Sequence, residues 1–178
     1  DADAFDEADL GAVLDGWPDE RWLDVRSERV RAVMRARLDV AAARGCDGVE
    51  PDNVDGYAND NGLGLQADDQ LAYNRFLATE AHARGLAIGL KNDLDQVDAL
   101  VADFDFAVNE QCHEYDECDA LAPFVAAGKP VFVAEYAARF VDDAEERDAM
   151  CAASRAAGLH TLVLPRALDG SFRLACEP

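Results

Sequence analysis

Short apolar runs alternate along this chain with longer amphipathic stretches. Each run ends in polar side chains, and the stretch after it repeats its apolar residues at helical spacing and closes at a glycine. Near-continuous apolar strands are typical of a parallel sheet that helices cover on both faces. The pattern predicts six strands alternating with five helices. The strands are expected at residues 22–25, 48–50, 87–90, 106–109, 131–134 and 161–164.

Short polar residues mark where the predicted helices begin. Ser27 and Asp68 are expected to cap the first two helices, and either Asp142 or Asp143 is expected to cap the last. Their side chains can accept hydrogen bonds from the free N–H groups of a first helical turn. Gly45 is expected to end the first helix, since glycine tolerates the left-handed conformation that stops a helix.

The two ends of the chain lack the repeat. Residues 1–21 are acidic and contain a Gly-Trp-Pro turn at residues 16–18. We expect them to form a surface segment with a short helix near residues 3–14. The tail beyond the last strand is expected to be irregular. Trp17 and Trp22 are expected in the core rather than on a binding surface.

Two architectures are compatible with right-handed crossovers between parallel strands: a doubly wound sheet and a (β/α) barrel. The first strand is not followed by a glycine-rich fingerprint, which disfavours a nucleotide-binding sheet. Polar residues at nearly every strand end favour the (β/α)8 TIM-barrel family, which builds its active sites there. A complete barrel needs eight strands, so six would form an open or incomplete barrel. We expect a single domain over residues 1–178.

The chain is strongly acidic, with 37 acidic and 16 basic residues and a formal net charge of −21. This charge argues against nucleic acid and anionic membranes as partners and favours a cationic ligand. Genome composition or a salt-rich habitat explains the same excess, so charge alone identifies no substrate. No apolar run approaches the length of a membrane span.

The five cysteines form no CxxC pair, and the three histidines are not at ligand spacing to a cysteine. This pattern argues against zinc, and we expect no metal site. Cys112 and Cys118 are close enough in sequence to close a small loop, which would imply an oxidising compartment. Cys151 and Cys176 could form a second bridge. A fully reduced chain remains the alternative.

Candidate chemistry begins in the stretch 48–57. Pro51 has no N–H group for a sheet ladder, so regular pairing should stop there. Asp52, Asn53 and Asp55 then follow the C-terminal end of a strand, on a loop (residues 53–66) that is long enough to indicate a function.

Other strand ends repeat this change from apolar to polar residues. If the strands are parallel, their ends gather at one rim. A carboxylate-rich rim without a Ser-His or Cys-His arrangement favours acid/base work by two carboxyl groups, as in glycoside hydrolysis. Lys91 is expected to pair with a carboxylate, and His113 is a weaker candidate for ligand contact. The rim residues are Asp24, Glu50, Asp52, Asn53, Asp55, Lys91, Asn92, Asn109, Glu110, Glu135 and Tyr136.

Ordered motifs recur over almost the whole chain, and together they resemble those of glycoside hydrolase family 114. They are Glu50-Pro-Asp-Asn-Val-Asp-Gly-Tyr57, Gly89-Leu-Lys-Asn92, Asn109-Glu-Gln-Cys112 with Cys118 after it, Gly128-Lys129 with Glu135-Tyr136, and also Trp17-Pro18, Glu20-Arg-Trp-Leu-Asp24 and Tyr73-Asn74.

The resemblance implies a (β/α)8 barrel, secretion, and endo-α-1,4-polygalactosaminidase activity on a cationic galactosamine-containing polysaccharide. By motif, the two catalytic acids are Asp52 and Glu110. Glu110 follows the more apolar strand, which favours Asp52 as the ionised member, and the reverse assignment is the alternative. It implies no cofactor, and we expect a monomer. Expected substrate contacts are Asp24, Glu50, Asn53, Asp55, Tyr57, Lys91, Asn92, Asn109, Glu135 and Tyr136.

The sequence departs from the family pattern at its start. Family members carry about two further strands before the Trp-Pro motif, so the resemblance implies that strands three to eight are present. The chain would then be an N-terminally truncated piece or an open barrel. The strands at 22–25 and 161–164 would become unprotected edges. A non-catalytic sugar-binding relative and an inactive fragment are the alternatives to an active hydrolase.

Overall fold

Parallel strands form the centre of the computed structural model, which describes residues 2–176. Over these residues the main sheet has six strands, all parallel except the last. The α/β prediction is therefore confirmed. The strands, in sheet order, are β3 (Gly48–Val49), β4 (Ala87–Lys91), β5 (Phe106–Glu110), β6 (Val131–Glu135), β7 (His160–Val163) and β8 (Leu174–Ala175).

The described chain divides within β4 into two compact units, one up to Ile88 and one from Gly89 onward. The single-domain expectation stays a prediction. The first unit contains α1 (Glu28–Ala43) and α2 (Ala67–His82). Helices of the second unit are α3 (Val97–Leu100), α4 (Cys112–Tyr115), α5 (Ala122–Ala126), α6 (Ala138–Asp142) and α7 (Ala144–Ala156).

Two of the predicted caps need correction. α1 does begin after Ser27, but the Ser27 hydroxyl donates to Asp9 Oδ1 at 2.6 Å instead of capping the helix. α2 begins after Gln66, so Asp68 lies inside the first turn. Asp143 does cap α7, since its side chain accepts from two backbone N–H groups of the first turn.

The N-terminal segment contains a β-hairpin. Residues 22–23 of the strand predicted at 22–25 are extended, but they belong to this hairpin and not to the main sheet, and the helix predicted near 3–14 is limited to 3₁₀ turns at Ala2–Ala4 and Glu7–Asp9. β1 (Leu10–Leu14) and β2 (Trp17–Leu23) pair antiparallel in a two-stranded sheet of their own. The turn between them is Asp15-Gly16, and Gly16 has a φ of +77°. An Asp-Gly pair suits a two-residue hairpin turn because glycine accepts positive φ without strain.

The C-terminal tail is irregular, as expected, up to the short strand β8. β8 pairs antiparallel with β7, and Cys176 forms a disulfide with Cys151 of α7. The edge expected at 161–164 is therefore covered. Cys151 and Cys176 belong to a buried cluster with Phe140, Met150 and Val163, so the bridge lies within apolar packing.

The first unit has its own core, to which the hairpin and the long loop are attached. Val30 and Leu38 of α1 are buried, as are Leu77 and Ala81 of α2. Their helical spacing gives each helix one inward stripe. None of the helices in residues 2–176 is long and apolar enough to span a membrane.

Candidate active site

In the second unit, charged residues end neighbouring parallel strands. Lys91 is the last residue of β4, Glu110 of β5 and Glu135 of β6. The strand registers pair Lys91 with Val108 and Glu110 with Ala134. Parallel strands bring their C-terminal ends to one edge of a sheet, so these three residues end their strands at the same edge.

Glu110 has a separate partner at each carboxyl oxygen. The Tyr136 hydroxyl donates to Oε1 at 2.7 Å, and Lys91 Nζ lies 3.7 Å from Oε2. The Lys91 side chain is 10 % exposed, whereas that of Glu110 is 38 % exposed. The lysine thus pairs with a carboxylate, as expected. The arrangement presents an oriented carboxyl group to solvent.

Two asparagines position the strand ends around Glu110. Asn92, in the left-handed conformation with φ +49°, accepts at Oδ1 from the Glu110 backbone N–H at 2.9 Å and from Asn109 Nδ2 at 3.2 Å. Asn109 Oδ1 in turn accepts from the Cys112 backbone N–H at 3.0 Å. Asn109 is buried and supports the start of α4, while its expected role as a substrate contact stays a prediction.

Glu135, at the end of β6, is also buried. It is fully enclosed, and its Oε1 accepts from the His113 backbone N–H at 2.7 Å. Burial raises the pKa of Glu135 to about 7, while the backbone N–H groups of His113 and Glu114 oppose that rise. Its Oε2 has no hydrogen-bond partner among the described residues. Glu135 therefore supports the loop beyond β5, and its expected contact with substrate stays a prediction.

A disulfide closes that loop. Cys112 and Cys118 are bonded, and the short helix α4 lies between them. The helix is entered through Gln111 at φ +68° and left through Asp116 at φ +58°, both left-handed. His113 is half-buried, and burial lowers its pKa. The cysteine sulfurs and a His113 nitrogen lie within 4.8 Å, but bonded cysteines offer no thiolate to a metal.

In the first unit, Asp52 lies on a tight turn after β3. Its Oδ1 accepts from the Asn53 backbone N–H at 3.0 Å, and Asn53 has a φ of +55°. Glu50, Asp52 and Asn53 are exposed and line a cavity of about 640 Å³. Asp52 is therefore accessible, as a residue that meets a ligand must be.

Buried amides hold the start of the long loop. Asn74 Nδ2 donates to the Val54 carbonyl at 3.0 Å, and Gln70 Nε2 donates to Asn74 Oδ1 at 2.9 Å. Both α2 side chains are essentially inaccessible to solvent. Sequence reasoning overlooked Gln70. The available signal was a pair of amides four residues apart within the apolar stripe of a helix.

Asp24 is held by an arginine that sequence reasoning missed. Arg26 donates to both carboxylate oxygens of Asp24, at 2.8 and 3.0 Å, and also to the Leu63 carbonyl at 3.1 Å. These hydrogen bonds lower the pKa of Asp24. Asp24 thereby helps to tie the long loop to the hairpin, and a role in binding substrate stays a prediction. Asp55, Tyr57 and Tyr136 are half-buried.

A mostly parallel α/β sheet with carboxyl groups, amides, a lysine and a tyrosine at its strand ends is the arrangement of a (β/α)-barrel glycosidase. The family model described as glycoside-hydrolase family GH114 matches residues 1–177. The chain therefore belongs to glycoside hydrolase family GH114, and the family prediction is confirmed.

Solved structures agree with this assignment. Ega3 of Aspergillus fumigatus, crystallised in complex with galactosamine, is 43 % identical to this chain and superposes with a TM-score of 0.89. The match covers 98 % of this chain and 71 % of the Ega3 chain. The glycoside hydrolase domain of PelA from Pseudomonas aeruginosa shares the fold at 18 % identity and a TM-score of 0.67, covering 96 % and 73 % of the two chains. A variant of that domain matches equally. The search of curated proteins found no significant match.

Proposed function

We propose that this chain is an endo-acting glycosidase that cleaves α-1,4 linkages in a galactosamine-containing polysaccharide. The observation that carries the proposal is the oriented Glu110 carboxyl group, held by Tyr136 and Lys91 at the end of a parallel strand. Membership of a glycoside hydrolase family supports the reaction type. The galactosamine bound by Ega3, at 43 % identity, supports the sugar.

Asp52 and Glu110 form the proposed carboxyl pair. Each follows a parallel strand, Asp52 after β3 and Glu110 at the end of β5, and each belongs to a motif shared with the family. In such a pair, one carboxylic acid protonates the departing glycosidic oxygen. The other, as a carboxylate, attacks the anomeric carbon or removes a proton from the attacking water.

Polar residues at the strand ends and on the long loop supply the proposed contacts to the polymer. The carboxylates would attract the ammonium groups of deacetylated sugar units, and the tyrosine rings would pack against the sugar. Lys91, Asn109 and Glu135 are the buried members of this set. The proposed contacts are Asp24, Glu50, Asn53, Asp55, Tyr57, Lys91, Asn92, Asn109, Glu135 and Tyr136.

The proposed place of action is outside the cell. The Cys112–Cys118 and Cys151–Cys176 disulfides support it, since such bonds persist in oxidising compartments. We further propose that the chain acts as a monomer and without a cofactor, because carboxyl groups alone suffice for this chemistry.

Release of new reducing ends from a deacetylated α-1,4-galactosamine polymer tests the function. Glu110→Gln and Asp52→Asn should each reduce turnover at least about a hundredfold, because each removes an acid or base from the reaction. Glu145→Gln, an exposed change in the first turn of α7, is the matched control and should leave turnover unchanged. Activity that survived in both site variants would refute the assigned pair. A chain that bound the polymer without cutting it would be a binding relative.

A further inference from the structure

Another cavity in the first unit lies at the tip of the hairpin and has a volume of about 730 Å³. Its walls are hairpin residues 12–18, Trp22, and Asn59 and Asp60 of the long loop. Trp22 also lines the cavity that contains Asp52. The two cavities therefore share a wall, and a polymer bound at Asp52 has a neighbouring cavity into which it could extend.

Trp17 is the unusual feature of this cavity. It was expected in the core but is 62 % exposed, whereas Trp22 is buried as expected. Leaving a large indole ring in water forgoes the free energy of burying it, so an exposed tryptophan within a cavity commonly marks a binding surface. A flat aromatic ring can pack against the C–H face of a pyranose.

The charge of the cavity wall selects the kind of sugar. Asp15 and Asp60 line it, and none of the described residues around it is a lysine or an arginine. Such a wall attracts a cation and would not attract an acidic polysaccharide. A deacetylated galactosamine unit combines an apolar ring face with an ammonium group, which matches an indole ring beside carboxylates.

The two walls are fixed to each other, so the cavity is formed before any ligand binds. The Ala12 backbone N–H donates to the Asn61 carbonyl at 2.8 Å. A Cβ added at Gly11 would lie only 2.2 Å from that same oxygen, so hairpin and loop are in direct contact. The buried Asn61 side chain donates to the Gly56 carbonyl at 2.9 Å and accepts from the Leu63 N–H at 2.8 Å. A preformed cavity loses less entropy when it binds a ligand.

We propose that this cavity is a subsite for one galactosamine unit of the polymer, remote from the bond that is cut. Trp17 stacks on the ring, and Asp15 and Asp60 attract its ammonium group. This inference rests on the proposed function for the identity of the polymer. The cavity adds a binding site on the hairpin. This site is separate from the carboxyl pair and from the polar residues at the strand ends.

The test is the affinity for deacetylated α-1,4-galactosamine oligosaccharides in an Asp52→Asn background, measured by titration calorimetry. Trp17→Ala should weaken binding of long oligosaccharides roughly three- to tenfold, the effect of losing one aromatic stack. Trp17→Phe keeps a flat ring and should retain most of the affinity. Val40→Ala removes another half-exposed apolar side chain, on α1 outside the cavity, and should have no effect.

Charge is tested independently of folding by Asp60→Asn. This change should weaken the deacetylated oligosaccharide and leave its fully N-acetylated, uncharged counterpart unaffected. Equal affinities of the parent, Trp17→Ala and Asp60→Asn would overturn the subsite. If the protein with Asp52 intact cuts the polymer but Trp17→Ala binds normally, the subsite fails and the hydrolase stands. If Trp17-dependent binding occurs without cutting, the subsite stands and the hydrolase fails.

Discussion

Glu135→Gln should remove a pH dependence from the stability of the protein. Glu135 is fully buried, and its pKa is raised from the ordinary 4.5 to about 7. In the unfolded chain, Glu135 ionises with its ordinary pKa of 4.5. Between pH 4.5 and about pH 7, the folded state therefore keeps a proton on Glu135 that the unfolded state has lost. The free energy of unfolding therefore falls as pH rises through this window.

The rise of the Glu135 pKa from 4.5 to about 7 on folding corresponds to about 3 kcal/mol. The free energy of unfolding is lower by this amount once the pH is above both pKa values. Glutamine keeps the carbonyl oxygen that accepts from His113 but cannot ionise. Below about pH 4 the parent and the variant should be similarly stable. Above about pH 8 the variant should be more stable than the parent by up to about 3 kcal/mol. This gain is reduced by the cost of burying the glutamine N–H groups without hydrogen-bond acceptors.

Urea unfolding at several pH values measures this difference. His113 must be allowed for, because its lowered pKa gives the opposite slope: its contribution is lost as pH falls. Comparing the parent with Glu135→Gln cancels the histidine, which both proteins retain. The exposed Glu145→Gln is the control and should follow the parent at every pH. Parallel curves for the parent and Glu135→Gln would refute the idea that Glu135 is neutral in the folded protein.

Further predictions concern the hydrogen bonds, the bridge and the charge of the site. Tyr136→Phe should lower kcat about tenfold, because Glu110 Oε1 loses its hydrogen bond from the phenol. The Tm should change little, because the ring stays in place. An unchanged kcat would argue that the phenol does not orient Glu110. Replacing Cys112 and Cys118 by serine should lower the unfolding free energy by about 2 kcal/mol in calorimetry, and no change would mean that α4 is held without the bridge. Turnover of the cationic polymer should fall steeply as salt screens the carboxylates. A salt-independent rate would show that electrostatic attraction does not contribute to binding of the polymer.

The central strands were predictable because they are unbroken apolar runs, and helix ends were predictable because glycine marks them. α1 ends just before Gly45 and α2 just before Gly85, at φ +76° and +72°. The hairpin was missed because residues 17–21 of β2 are all exposed, so no apolar run or alternation reveals a strand there. The local signals were the apolar run Leu10–Leu14 and the Asp-Gly pair that follows it at 15–16.

The burial of two strand-end residues was not predicted from the sequence. Polar residues at most strand ends were assigned to one rim, although side chains alternate between the two faces of a strand. Glu135 shares its face with the buried Val131 and Val133, and Asn109 shares its face with the buried Ala107. Counting in twos along each run would have placed both inward. Their partners on α4 could not be predicted, because the left-handed turns that bring α4 back over the sheet leave no periodic signal.

The arginines of the first unit change how its excess of acid should be interpreted. Arg84 pairs with Asp39 and Glu80, and Arg26 pairs with Asp24, so many carboxylates there are engaged in holding helices and loops. Exposed pairs of this kind contribute little stability and present little net charge to a ligand. Attraction of a polycation must then come from carboxylates that line cavities. Asp52, Asp15 and Asp60 meet that condition, and the net charge of the whole chain is a poor guide to where the polymer binds.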